Sequence, residues 1–302
     1  MSKNNVLLIF VDGVGIGKKD PECNPFFKYR FKMFEDIFGS TPHLDNQYLN
    51  NNNKYLFPVD ACMGVPELPQ SGTGQASIFC GVNAPKILGQ HFGPYPHSKL
   101  LPTLKEKNIF HEFMKRGLKV TFSNAYPQTF FDYVNSGRQR LSVTTLSCIM
   151  SGLRLNNYND LKKGKALSSD IDNFYWVERL GYRLSKISPK RAAKRLIKLT
   201  KKNNLTVYEF FLTDHLGHGR NAAEFEYIIK KFDEFIYSIL SQLPKKISLV
   251  ICSDHGNFED ISIKSHTTNP ALGITAGAFA KELSAKIKNL SDIKPAILEL
   301  FD

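Results

Sequence analysis

Three apolar runs in this sequence each give way to a carboxylate. Val6-Leu-Leu-Ile-Phe-Val11 stops at Asp12-Gly13, Leu205 to Leu212 leads into Asp214, and Ile247 to Cys252 leads into Asp254-His255. A short run without polar alternation reads as a strand buried on both faces, the habit of parallel sheets sandwiched by helices. Leu118 to Phe122 is a further run and Gly273 to Phe279 a weaker one. Helical patterns lie between them, at Lys105 to Arg116, at Pro189 to Lys202 behind a Ser188 N-cap, and at Ala222 to Leu243 before Pro244. The alternation predicts an α/β fold, a doubly wound, mostly parallel sheet with helices on both faces. In such a sheet ligands bind beyond the carboxyl ends of the strands, so carboxylates at three of those ends converge on one crevice.

The stretch 126–188 breaks the alternation and holds the only tryptophan, Trp176. It is expected to be a small insert or cap over a core formed by 1–125 and 189–302. The asparagine run Asn50 to Asn53 reads as a surface loop. A chain of 302 residues suffices for one large domain of this kind, and its 23 Phe and 12 Tyr argue against disorder. No apolar run is long enough to span a bilayer, and Val6 to Val11 is too short for a signal-peptide core. Five scattered cysteines without a C-x-x-C spacing suggest reduced thiols and a cytoplasmic protein. The net charge of +12, from 40 Lys+Arg against 28 Asp+Glu, attracts anions, phosphorylated substrates among them. Much of it is Lys in a chain also rich in Asn and Ile, the bias of an AT-rich gene. The basic helix 189–202 reads first as a solvated face.

Asp214-His-Leu-Gly-His218 sets a carboxylate and an imidazole four apart. Asp254-His255 follows the next strand, and His266 lies in Ser265-His-Thr-Thr-Asn-Pro270. Carboxylates with neutral imidazoles suit Zn²⁺, Mn²⁺ or Fe. Gln70-Ser-Gly-Thr-Gly-Gln75 opens an apolar helix start, where free N–H groups favour an anion. It is not a P-loop, because no Gly-Lys-Ser/Thr is present. Asn124 at the end of the second strand, His91 in a turn-rich loop that also holds His97, and Arg220 beyond His218 are candidate substrate contacts.

In order, Asp12-Gly13, Ser71-Gly-Thr-Gly74, Asp214-x-x-x-His218, Asp254-His-Gly-Asn257 and His266-Thr-x-Asn-Pro270 resemble the alkaline phosphatase superfamily. The likeness is to the metalloenzyme branch with cofactor-independent phosphoglycerate mutase and phosphopentomutase. The resemblance implies an alkaline-phosphatase-like fold with two divalent ions, Mn²⁺ or Zn²⁺ rather than Mg²⁺. Asp214, His218 and His266 would hold one ion. Asp12, Asp254 and His255 would hold the other, with the Ser71 oxygen on or near it. Ser71 falls at the family's nucleophile position, Thr73 is the rival hydroxyl, and Gln75 stands where the mutases carry His. The implied activity is phosphoryl transfer on a small phosphorylated substrate. The expected form is a phosphatase or phosphodiesterase working through a phosphoserine, with a phosphoglycerate or sugar-phosphate mutase as the rival. The resembling mutases close a substantial inserted domain over the site, whereas 126–188 is only roughly 60 residues, so loss of phosphate to water is expected. A metal-free, basic nucleic-acid-binding module is the alternative of another class, against which the intact ligand set counts. No membrane partner is expected.

Overall fold

The computed structural model describes residues 4–138 and 140–302. Seven strands form one sheet: β1 (Asn5–Val11), β2 (Leu49–Asn51), β3 (Lys54–Val59), β4 (Val120–Phe122), β5 (Leu205–Phe210), β6 (Ile247–Cys252) and β7 (Ala271–Gly277), in the order β2-β3-β7-β6-β1-β5-β4. β4, β5, β1 and β6 are parallel neighbours. β7 runs against both β6 and β3, and β2 against β3, so five of the seven strands share one direction. The sheet is thus mixed and mostly parallel.

The central strand shows why the apolar runs are continuous. Leu7, Ile9 and Val11 point to one core, which includes residues of the Lys32–Phe38, Pro189–Thr200 and Phe225–Gln242 helices. Val6, Leu8 and Phe10 point to the other, with the Ser71–Cys80, Ile109–Lys115 and Ile293–Leu298 helices. Both faces are covered, so both sets of alternate side chains must be apolar. Phe10 meets Phe79 edge to face at 6.0 Å and ties the Ser71–Cys80 helix to the middle of the sheet. Within 126–188, the Val143–Met150 helix sends Val143 and Cys148 into that second core, while Trp176 packs in a cluster of its own with Ala125, Leu161 and Ala166. None of the five cysteines is paired. Among the described residues no helix is long and apolar enough to cross a membrane.

Two segments differ from the sequence reading, each for a local reason. The Asn50–Asn53 run is not a loop on its own but the tip of the β2–β3 hairpin. Asn52 and Asn53 take φ of 46° and 59°, the left-handed pair that a two-residue turn demands and asparagine tolerates. Pro58 disguises β3, yet β2 ends its pairing at Leu56, so the proline sits where one edge is open. The single helix expected over Lys105 to Arg116 is two, Leu101–Lys107 and Ile109–Lys115. Asn108, fully buried, breaks them. Its Nδ2 donates to the Leu104 carbonyl at 2.6 Å, and its Oδ1 accepts from His111 N at 2.9 Å and from Ser151 Oγ at 2.8 Å. Helix 189–200 begins as expected, with Ser188 Oγ accepting from Arg191 N. Asn108→Ala is expected to cost about 1–3 kcal/mol, because it strands buried partners. Chemical denaturation with an unchanged m-value checks this.

Candidate metal centre and active-site cavity

Strand parity decides which carboxylates meet. Asp12 continues the alternation of Val6, Leu8 and Phe10, and Asp254 that of Val250 and Cys252, so both turn to the face that carries the Ser71–Cys80 helix. That helix starts against them. A methyl group on Gly74 would lie 2.8 Å from the Asp254 carbonyl oxygen, so only glycine allows the approach. Gly13 turns the chain out of β1 with φ of 69°, and a Cβ there would sit 2.9 Å from the Asp214 side chain. The strand-end carboxylates are thereby drawn into one buried space. Ser71, the first residue of its helix, places Oγ 3.0 Å from His255 Nε2.

The three imidazoles are held alike. His266 Nδ1 lies 2.6 Å from the Pro69 carbonyl, His218 Nδ1 2.7 Å from that of Lys264, and His255 Nδ1 3.3 Å from that of Gly256. A carbonyl only accepts, so each Nδ1 carries the proton and each Nε2 turns a lone pair inward. There His218 Nε2 and His266 Nε2 lie 3.2 Å apart. They stand 3.3 and 3.6 Å from Asp214 Oδ1. His255 Nε2 lies 3.4 Å from Asp12 Oδ1 and 3.6 Å from Asp254 Oδ2. Donor atoms of Asp214, His255 and His266, and again of Asp12, Asp254 and His255, fall within 4.8 Å of one another.

This donor set fits cations. The facing Nε2 atoms of His218 and His266, with the Asp214 carboxylate beside them, leave a place for a positive charge, a proton or a metal ion. Among the described residues the buried Asp12 Oδ1 has no hydrogen-bond partner. Burial and the neighbouring carboxylates hold the Asp12 acid well above its usual range, and burial pushes Asp254 up to about 7. Burial, with the His266 ring stacked against it, pulls His255 down to about 3. Burial works against the Asp214 carboxylate, yet the neighbouring His266 ring, the His255 ring and a hydrogen bond from Asn257 keep it well below the carboxylate range. Packed carboxylates that resist ionising are the electrostatic complement of a bound divalent ion.

A cavity of about 430 Å³ opens onto Asp12, Ser71 and Asp214, with Tyr126, Tyr175 and Trp176 of the 126–188 stretch on its other side. The candidate contacts divide. Arg220 is exposed and lines the cavity. Asn124 lines it too, but its Nδ2 donates to the Glu209 carbonyl at 2.8 Å and its Oδ1 accepts from Glu209 N at 2.9 Å, so its amide extends the sheet. His91 stays outside, with Nδ1 3.3 Å from Thr73 Oγ1 and Nε2 3.0 Å from the Cys62 carbonyl. His97 caps the short turn after it. Thr73 Oγ1 donates to the Gln70 carbonyl at 3.1 Å, and Ser71 is the hydroxyl that faces the centre. Gln75 Nε2 lies 3.3 and 3.4 Å from Asp12 Oδ2 and Asp254 Oδ2 and bridges the two carboxylates.

Sequence reasoning misses two acids. Glu209 sits on the Leu205–Val207 face of β5, lines the cavity, and is pushed up to about 8 by burial and the Asp254 charge. A carboxylate inside an apolar run is its signal. Glu259, 1% exposed, accepts from Gly15 N at 2.9 Å, Asn257 N at 2.8 Å, Asn269 Nδ2 at 3.0 Å and Thr267 Oγ1. It fastens the loop that carries His255 to the loop that carries His266. Glu259→Ala is expected to destabilise the fold by about 2–4 kcal/mol and to weaken divalent-metal binding about 10- to 100-fold. Thermal denaturation and metal titration check the two effects.

Comparisons with known proteins bear on the fold. Residues 181–302 match the Metalloenzyme superfamily. No curated protein matches the chain. Among solved structures, the PH0037 protein from Pyrococcus horikoshii is similar at 14% identity, over 99% of this chain and 97% of that one, with a TM-score of 0.56. A phosphoglycerate mutase from Leishmania mexicana is similar at 9% identity, over 99% of this chain and 95% of that one, with a TM-score of 0.50. An alkaline phosphatase from the Antarctic bacterium TAB5 overlaps at 12% identity, over 98% and 97%, with a TM-score of 0.48. At such identities the likeness is one of fold, shared over nearly the whole chain with the Pyrococcus horikoshii protein and the Leishmania mexicana mutase, and the family match is confined to residues 181–302.

Proposed function

We propose that the chain is a cytoplasmic two-metal phosphoryl-transfer enzyme, a phosphatase or phosphodiesterase that works through a phosphoserine on Ser71. The observation that carries this reading is the Ser71 hydroxyl at the start of a buried helix, 3.0 Å from His255 Nε2 and beside the convergent Asp and His donors. Asp214, His218 and His266 would hold one ion, and Asp12, Asp254 and His255 the other. Imidazole with carboxylate favours Mn²⁺ or Zn²⁺ over Mg²⁺. Bound there, divalent ions supply charge for the phosphate oxygens and lower the pKa of a nearby hydroxyl.

The chain's own residues do the rest. Arg220 offers a guanidinium at the cavity to an incoming phosphate. The amino end of the Ser71–Cys80 helix places positive potential where the phosphate arrives. Ser71 Oγ attacks phosphorus in line as the P–O bond to the leaving alcohol breaks. That alcohol departs with a proton, and a phosphoserine remains. Water then attacks the same phosphorus, inorganic phosphate leaves, and the Ser71 hydroxyl is restored. Asn257 Nδ2, 2.7 Å from Asp214 Oδ1, fixes that carboxylate throughout. Residues 126–188 act as a cap, with Tyr126, Tyr175 and Trp176 shielding one side of the cavity. A cover of this size favours water as the acceptor over a retained sugar or glycerate. A metal-free nucleic-acid module would leave the inward lone pairs and carboxylates without a divalent charge between them.

Ser71→Ala is expected to lower kcat by about 10³-fold or more while the fold and the metal content stay. Full activity in Ser71→Ala with a dead Thr73→Ala would reassign the nucleophile. His218→Ala and His266→Ala are each expected to lose one of two ions per chain, read by elemental analysis, and both ions retained would refute the partition. Steady release of phosphate from a monophosphate should outpace any isomerised product. Interconversion of a phosphoglycerate or pentose phosphate faster than phosphate release would make the enzyme a mutase.

A further inference from the structure

We infer a second anion site, separate from the catalytic cavity, that takes a phosphate group beside the Pro189–Thr200 helix. Arg191 and Arg195 stand four apart on that helix and, with Lys162, Arg183, Asn173 and Ser185, line a cavity of about 230 Å³. No aspartate or glutamate lines it, and none of the four cations has an ion-pair partner among the described residues. The nearest acids in sequence are engaged elsewhere: Asp160 with Arg154, Asp172 with Lys231, Glu178 with Lys186.

The arrangement gathers positive charge with no acid on the cavity wall to offset it. Like charges four apart on a helix repel, and Arg191 stands in the first turn, where the helix dipole opposes a cation and no acid is present. Arg195 is only partly exposed. Its Nη1 donates to the backbone oxygens of Leu161 at 3.4 Å and Ala166 at 3.1 Å, and its other N–H groups have no partner among the described residues. Burial, with Arg191 beside it, pulls its pKa below the usual value. A guanidinium fixed by carbonyls, desolvated and backed by a second one, is suited to a bidentate grip on a phosphate group. The cavity has room for that group and a short organic tail. Lys194 and Lys198 of the same helix are exposed but do not line it, so the four cations converge on a compact ligand rather than follow a polymer. The loop that supplies Asn173 also supplies Tyr175 to the catalytic cavity, so one loop borders both sites.

Calorimetric titration of the metal-loaded full chain tests this, with inorganic phosphate and, separately, methylphosphonate, which mimics an esterified phosphate and resists hydrolysis. Two binding events per chain are expected, one of which persists unchanged in Ser71→Ala. That event should weaken about tenfold or more in Arg191→Glu and in Arg183→Glu, both exposed positions, with Tm not lowered and basal activity unchanged. Equal binding of the two probes assigns the site to phosphorylated small molecules, and binding of phosphate alone assigns it to the free ion. Phosphate binding that neither charge reversal alters overturns the proposal. So does binding of a single-stranded oligonucleotide that Lys194→Glu and Lys198→Glu abolish and Arg191→Glu spares, which would make the helix a nucleic-acid surface.

Discussion

Three backbone carbonyls decide what the centre of this molecule can bind. Pro69, Lys264 and Gly256 each face the Nδ1 of an imidazole, and so turn the Nε2 atoms of His266, His218 and His255 toward the carboxylates. A side-chain partner in the same place could titrate or swing away, and a carbonyl can do neither. The tautomer is therefore set by the backbone. His255 and His266 stack at 3.7 Å between ring centroids, which leaves little room for either ring to rotate out of register.

The rest of the architecture serves that constraint. The carboxylates arrive from three adjacent strands, β6, β1 and β5, whose parallel pairing brings Asp254, Asp12 and Asp214 past the same edge. The loops that bear His255 and His266 are joined by the bond from Thr267 N to the Gly256 carbonyl at 3.0 Å and by Glu259, which bonds to both. Glycine permits close approach where a side chain would collide, at Gly13 against Asp214 and at Gly74 against Asp254. The nucleophile candidate is carried on a helix with no solvent-exposed face at all, every residue from Ser71 to Cys80 being buried, so the hydroxyl cannot drift with respect to the sheet.

Much of this is legible in the amino-acid sequence. A parallel strand covered on both sides has to be apolar at every position, so its end is marked sharply when a carboxylate follows. That makes Asp12, Asp214 and Asp254 visible. Hairpin β2–β3 is hidden because its turn is made of asparagines and its second strand holds Pro58, both ordinary marks of a loop. Asn108 interrupts a helical pattern that its neighbours continue, and only its buried bonds to Leu104, His111 and Ser151 show that it ends one helix and caps the next. Asn124 and His91 are plausible substrate contacts by residue type. Their actual partners, the Glu209 backbone 85 positions away and the Cys62 carbonyl 29 positions away, are fixed by tertiary contacts that spacing cannot encode. Glu209 escapes notice for the opposite reason, as a single charge inside an otherwise apolar run.

The central claim is that Ser71 becomes covalently phosphorylated during turnover. Acid quenching of the metal-loaded enzyme during steady turnover of a phosphomonoester, followed by peptide mapping, tests it most directly. The account predicts one phosphate on the peptide that contains Ser71, localised to that serine, at a level that rises and then decays as substrate is exhausted. Turnover with no phosphopeptide, or with the phosphate on Thr73, would contradict it.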